Sequence, residues 1–165
     1  MMKRQPILYN ELLNAEELAF LERKELRERK QFYKVVRMLI LLSFICPFVL
    51  AWYKAIDGVP NPFGYGVYFL GVLFLLGFSG FALWIVYRSN LGKVRADIAG
   101  GSKIVEQVRI TRKQHMAVNN SFYFYLDSLV KLSIEVSEKD FHQLSEGDEV
   151  NIEYTANAKL YLGYF

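Results

Sequence analysis

The chain has 165 residues, about one ordinary domain, of which 53% are hydrophobic, 16% aromatic and 22% charged. Its net charge of +3 is unevenly spread: nine Lys/Arg face six Asp/Glu in residues 1–37, four face two in 38–102, and seven face nine in 103–165. A nucleic-acid binder concentrates basic charge on its folded domain, so the slightly acidic last third argues against a nucleic-acid partner. The lone cysteine, Cys46, excludes a disulfide framework.

Residues 1–34 read as a charged, amphipathic cytoplasmic helix. Asn14-Ala-Glu-Glu17 matches a capping box, in which the Asn14 side chain accepts a backbone N–H and Glu17 reaches back. Glu25 and Arg29 form a favourable i,i+4 pair. No glycine or proline lies between Asn14 and Pro47, so one helix is expected from Ala15 into the apolar stretch that follows. The mixed sign of the charge run fits a solvated helical face better than a lipid-binding patch.

Two apolar blocks come next. No charge lies between Arg37 and Lys54, and none between Asp57 and Arg88. Residues 35–53 predict a first transmembrane helix with Arg37 near its start and Trp52 and Tyr53 at its far end, where aromatic rings favour an interface. Pro47 withdraws a donor from the Ser43 carbonyl and predicts a kink. Cys46, deep in the block, reads as a small packing residue rather than a modified thiol. Residues 54–65 form a short extracytoplasmic loop with Asp-Gly, Val-Pro and Asn-Pro steps. Residues 66–87 predict a second transmembrane helix, in which Gly71, Gly77, Ser79 and Gly80 offer small surfaces without strict small-xxx-small spacing.

Orientation follows from the flanking cations. Arg29, Lys30, Lys34 and Arg37 precede the first helix, and Arg88, Lys93 and Arg95 follow the second, whereas the loop carries only Lys54. The positive-inside rule therefore predicts a multi-pass protein of the plasma (inner) membrane with both termini cytoplasmic. The bilayer is its first expected partner.

Residues 88–102 read as a linker ending in Ala-Gly-Gly-Ser, and 103–165 as a cytoplasmic β domain. Period-2 alternation marks five short strands, with Val108 and Ile110, then Phe122, Phe124 and Leu126, then Leu132, Ile134 and Val136, then Val150, Ile152 and Tyr154, and finally Leu160, Leu162 and Tyr164 on the inner face. Ser137–Asp140 opens a helical turn before the fourth strand. The expected fold class is an α+β membrane protein, a transmembrane helical hairpin followed by a small five-stranded SH3/OB-like β-barrel.

Gly147-Asp-Glu-Val-Asn-Ile-Glu-Tyr154 is similar to the GDxVxIxY element of small cytoplasmic barrels appended to bacterial membrane proteins. Over some 60 residues the chain thus resembles uncharacterised bacterial two-transmembrane proteins with a C-terminal SH3/OB-like barrel. NfeD-type proteins share the layout alone, so the resemblance implies architecture and transfers no site residue.

Chemical signatures are missing. His115 and His142 lack a second ligand at metal spacing, and Glu146, Asp148 and Glu149 lack calcium-loop spacing, so no metal or cofactor is expected. No phosphate loop, nucleophile elbow or HExxH occurs, and neither an enzyme nor a small-molecule substrate is indicated. Tyr123, Tyr125 and Tyr161 alternate away from the predicted core and are the candidate partner-binding residues. The expected role is a non-enzymatic scaffold or accessory subunit that presents the barrel to a protein partner. The alternative is a subunit of a small oligomeric channel or transporter, against which stands the scarcity of polar residues in the blocks, with only Ser43 and Ser79.

Overall fold

The structure is a computed structural model that describes residues 7–62 and 64–165. Residues 1–6 of the expected N-terminal segment and Phe63 of the expected loop lie outside the described residues. The chain divides into two compact units, one helical (20–95) and one built from residues up to Ala19 together with Ala96–Phe165.

In the helical unit, the expected continuity is realised: α1 (Ala15–Ile56) is one helix of 42 residues that passes through Pro47. At 1.5 Å per residue it is about 63 Å long, roughly twice a bilayer core. Ser43 is buried and donates to the Leu39 carbonyl at 2.8 Å, a bond back along its own helix. Residues 57–62 turn, with Gly58 and Asn61 at positive φ, and α2 spans Tyr65–Val86. Opposite Pro47 the chain has Gly71, where an added Cβ would stand 3.5 Å from the proline ring. That is ordinary van der Waals contact, so the two helices pass closely here without requiring glycine. Nearby, the Tyr68 hydroxyl donates to the Phe44 carbonyl at 3.2 Å, giving that residue a partner on the facing helix.

Both helices are long and apolar enough to cross a membrane, with a mean hydropathy of 2.3 over their most apolar stretches. Those stretches are only 11% and 6% buried, which is unlike the core helix of a soluble protein. Where a linker was expected, the helix continues. A π-helical turn (Tyr87–Leu91) passes into α3 (Gly92–Gly100), and the break falls at Gly101, whose φ of +60° glycine adopts without strain.

The second unit is an antiparallel sheet. Its strands are β1 (Ile7–Leu12), β2 (Ser102–Met116), β3 (Ser121–Leu126), β4 (Ser133–Val136), β5 (Glu149–Thr155) and β6 (Tyr161–Tyr164), with α4 (Glu138–Gln143) between β4 and β5. The order is β4-β3-β2-β5-β6, and β1 pairs with the first half of β2. The expected five-stranded barrel is realised in part, since β2 to β6 are the five strands that alternation marks. The sheet is curled but open, since β4 and β6 do not pair, and it has a sixth strand from the far N-terminus. Over residues 7–12 the helix expected across 1–34 is instead strand β1, which Ile7, Leu8, Tyr9 and Leu12 do not signal by alternation, and all six of its residues are exposed.

The core takes up most of the predicted inner face, though not Leu160 or Leu162. Val108, Ile110, Phe124, Leu126, Ile134, Val136, Val150, Ile152 and Tyr154 form one buried cluster, with Phe141 and Leu144 of the α4 segment packed against it. Leu132 departs from expectation: it lies before β4 begins and is 70% exposed.

Candidate functional site

Strand pairing decides which of the three candidate tyrosines share a surface. Opposed residues lie on one face of a sheet, so the pairs Arg112–Tyr125, Gln114–Tyr123 and Tyr123–Glu135 place these side chains together, opposite the buried Phe124. A bulge between Ile110 and Arg112 sets this phase. Thr111 is the extra residue, and its hydroxyl donates to the Tyr125 carbonyl at 3.0 Å. The Arg112 guanidinium then lies 4.7 Å from the Tyr125 ring centre, and the Tyr125 hydroxyl donates to the Gln114 side-chain oxygen at 2.9 Å. Arg112 also bonds Gln114, so the three side chains brace one another. Tyr123 and Tyr125 are half-buried rather than free.

Tyr161 is elsewhere. It packs against the core cluster, and its hydroxyl is buried without a hydrogen-bond partner among the described residues. The cause is a second irregularity, between Glu153 and Tyr154, where pairing jumps from Glu153–Gly163 to Tyr154–Tyr161. The extra residue on β6 inverts the alternation, so Tyr161 and Tyr164 both face inward. Burial, with the neighbouring Tyr164 and Glu153, pushes the Tyr161 hydroxyl up to about 12.

Buried polar groups form two further clusters that alternation could not reveal. Lys103 is 6% exposed and holds three carboxylates: Glu17 and Glu153, each at 2.8 Å, and Glu11 at 4.0 Å. Glu17 also completes the predicted capping box, with both reciprocal Asn14 bonds at 2.8 Å. Burial works to raise the Glu17 carboxyl, but the Lys103 and Asn14 bonds hold it below its ordinary value. Burial works to lower Lys103, but Glu153 and Glu17 hold it above its ordinary value.

On the inner face, Glu106 is 3% exposed and accepts from Ser128 at 3.0 Å. The Ser128 oxygen in turn accepts from the backbone N–H of Val130 and Lys131, so the pair braces the β3–β4 turn. Burial raises the Tyr154 hydroxyl to about 12, helped by the charge of Glu106 and a hydrogen bond to it.

Several other polar side chains hold turns of the β unit. Asp97 accepts from the Asn157 backbone and side chain and from the Ala158 backbone, which fixes the β5–β6 turn. Glu146 accepts from the Lys113 backbone, and Asp148 from the Ser145 backbone. His115 stacks on Phe122 at 4.6 Å, and His142 sits beside Phe141. Among the described residues no group of three or more His, Cys, Asp or Glu could hold a metal ion. Cys46 is exposed on α1.

Compared with family models, curated proteins and solved structures, the chain matches none.

Proposed function

We propose that this is an integral membrane protein of the plasma (inner) membrane that holds its β unit at the cytoplasmic face as a docking module for a protein partner, without catalysis of its own. The observation that carries the reading is the exposure of the hairpin. Leu70, Phe74, Phe78 and Phe81 on α2 are 60–72% exposed, as are Leu41, Phe44, Phe48 and Trp52 on α1 at 45–58%. Soluble monomers do not leave contiguous apolar surface of this extent to water, and a bilayer would cover it. The cations on both cytoplasm-assigned flanks, against Lys54 alone at the turn, orient the hairpin with both termini inside. Tyr123, Tyr125 and Arg112 supply side chains typical of contact centres.

The test is cysteine labelling in whole cells with Cys46 replaced by alanine. Val59→Cys, in the turn, is expected to react with a membrane-impermeant maleimide, and Ser137→Cys only after lysis. The reverse pattern would overturn the orientation, and labelling of both in intact cells would overturn the membrane reading.

A further inference from the structure

Within the helical unit a cleft of about 380 Å³ opens between α1 and the end of α2 with its π-helical turn. Glu28, Gln31, Phe32 and Leu39 line it on one side, Leu83 and Asn90 on the other. Its ends differ chemically. Leu39 and Leu83 lie inside the apolar blocks, whereas Glu28 and Asn90 lie beyond them, and Glu28 to Leu39 is about 16 Å of helix. The polar end thus falls at headgroup level and the apolar end at acyl level.

One atom at the polar end is unsatisfied. Glu28 Oε1 is 3.7 Å from Lys24, but Glu28 Oε2 is buried and has no hydrogen-bond partner among the described residues. A buried acceptor of this kind is costly unless a donor reaches it. The π-helical turn opposite, a distortion that recurs at functional sites, contributes Asn90 and Leu91 to the cleft lining.

We propose that the cleft seats one phospholipid whose headgroup carries a primary ammonium. The ammonium donates to Glu28 Oε2, the amides of Gln31 and Asn90 face the phosphate, and one acyl chain lies along Phe32, Leu39 and Leu83. A choline headgroup has no N–H to give, and an anionic glycerol headgroup brings like charge to a carboxylate. This inference rests on the membrane reading above.

The experiment is native mass spectrometry of the full chain released from vesicles of equimolar phosphatidylethanolamine, phosphatidylcholine and phosphatidylglycerol. The wild type is expected to retain one phosphatidylethanolamine with about tenfold preference, the size of one charge-assisted hydrogen bond. Glu28→Gln, which keeps the shape, is expected to lose the preference, and Leu83→Trp, which fills the cleft, to lose the lipid. Retention of the three lipids in proportion to supply, or an unchanged preference in Glu28→Gln, would overturn the cleft assignment. Carbonate washing of the same membranes separates the two readings. A chain that stays in the membrane without headgroup preference fails the cleft proposal alone, and a chain washed off fails both.

Discussion

The Tyr164 hydroxyl donates to the Asp140 carboxylate at 2.7 Å and accepts from the Ser137 backbone N–H at 3.1 Å, so a side chain joins the last strand to the N-terminus of α4. The edge strands β4 and β6 share no backbone ladder, and this contact bridges the open side of the curled sheet. Tyr161, three residues earlier, buries a hydroxyl that bonds to nothing described. The two tyrosines should answer the same substitution oppositely. Tyr164→Phe is expected to destabilise by about 1 kcal/mol, while Tyr161→Phe is neutral or stabilising, because it removes a desolvated group that gains no bond. Thermal unfolding of the two variants side by side checks this, and equal losses would contradict it.

The inner face can be tested at adjacent positions. Ile152 is fully buried in the core cluster, and its neighbour Asn151 turns away, opposite Gln107. Ile152→Asp places an unpaired charge among Val108, Phe124 and Val150. The cost of several kcal/mol is comparable to the whole stability of a small domain. Asn151→Asp is expected to stay within about 0.5 kcal/mol of the wild type. Circular dichroism, with loss of the β signal in the first variant only, is the measurement.

The ion cluster around Lys103 predicts a stability plateau. Glu17 titrates lower in the folded chain than its ordinary 4.5, so its contribution is present above about that pH and is lost as pH falls through the lowered value. Lys103 titrates higher than its ordinary 10.5, so its contribution is present below that pH and is lost as pH rises through the raised value. Melting temperature should therefore hold between these limits and fall at both ends. Lys103→Met leaves Glu17 and Glu153 without their cation. It is expected to lower the melting temperature at pH 7 and to recover part of the loss in acid, where Glu17 gains its proton. A variant with an unchanged pH profile would show that the cluster contributes nothing.

Much of this architecture could be read from side-chain period and charge. The capping box at Asn14 and Glu17, the uninterrupted helix from Ala15, the Gly101 break and the inner faces of β2, β3 and β5 all follow from local rules, and each is realised. The failures share a different cause. Counting in twos puts Tyr161 outward, and a bulge formed by distant pairing reverses it. Strand β1 has no amphipathic signal of its own and is a strand only because β2, some 95 residues away, offers an open edge. Lys103 and Glu106 look like surface charges in sequence, and only tertiary structure encloses them.

The proposed docking face predicts separable effects on partner and fold. Tyr123 and Tyr125 stand beside Arg112, Gln114 and Glu135 on the side of β2–β3–β4 opposite the core, half-buried and braced. Such pre-ordered aromatic groups lose little entropy on binding, which is why they dominate contact energies. Tyr123→Ser together with Tyr125→Ser is expected to weaken capture of the physiological partner by 2 kcal/mol or more, roughly thirtyfold. The same double variant should lower stability only modestly, since Phe122, Phe124 and Leu126 keep their places in or against the core. Tyr161→Ser should do the opposite, because it removes a ring packed on the core cluster: stability falls first, and binding is lost only as the unit unfolds. Quantitative co-purification from crosslinked membranes, with melting temperature measured on the same samples, separates these outcomes. If the Tyr123/Tyr125 variant captured every partner at the wild-type level, the face formed by β2, β3 and β4 would not be the docking surface.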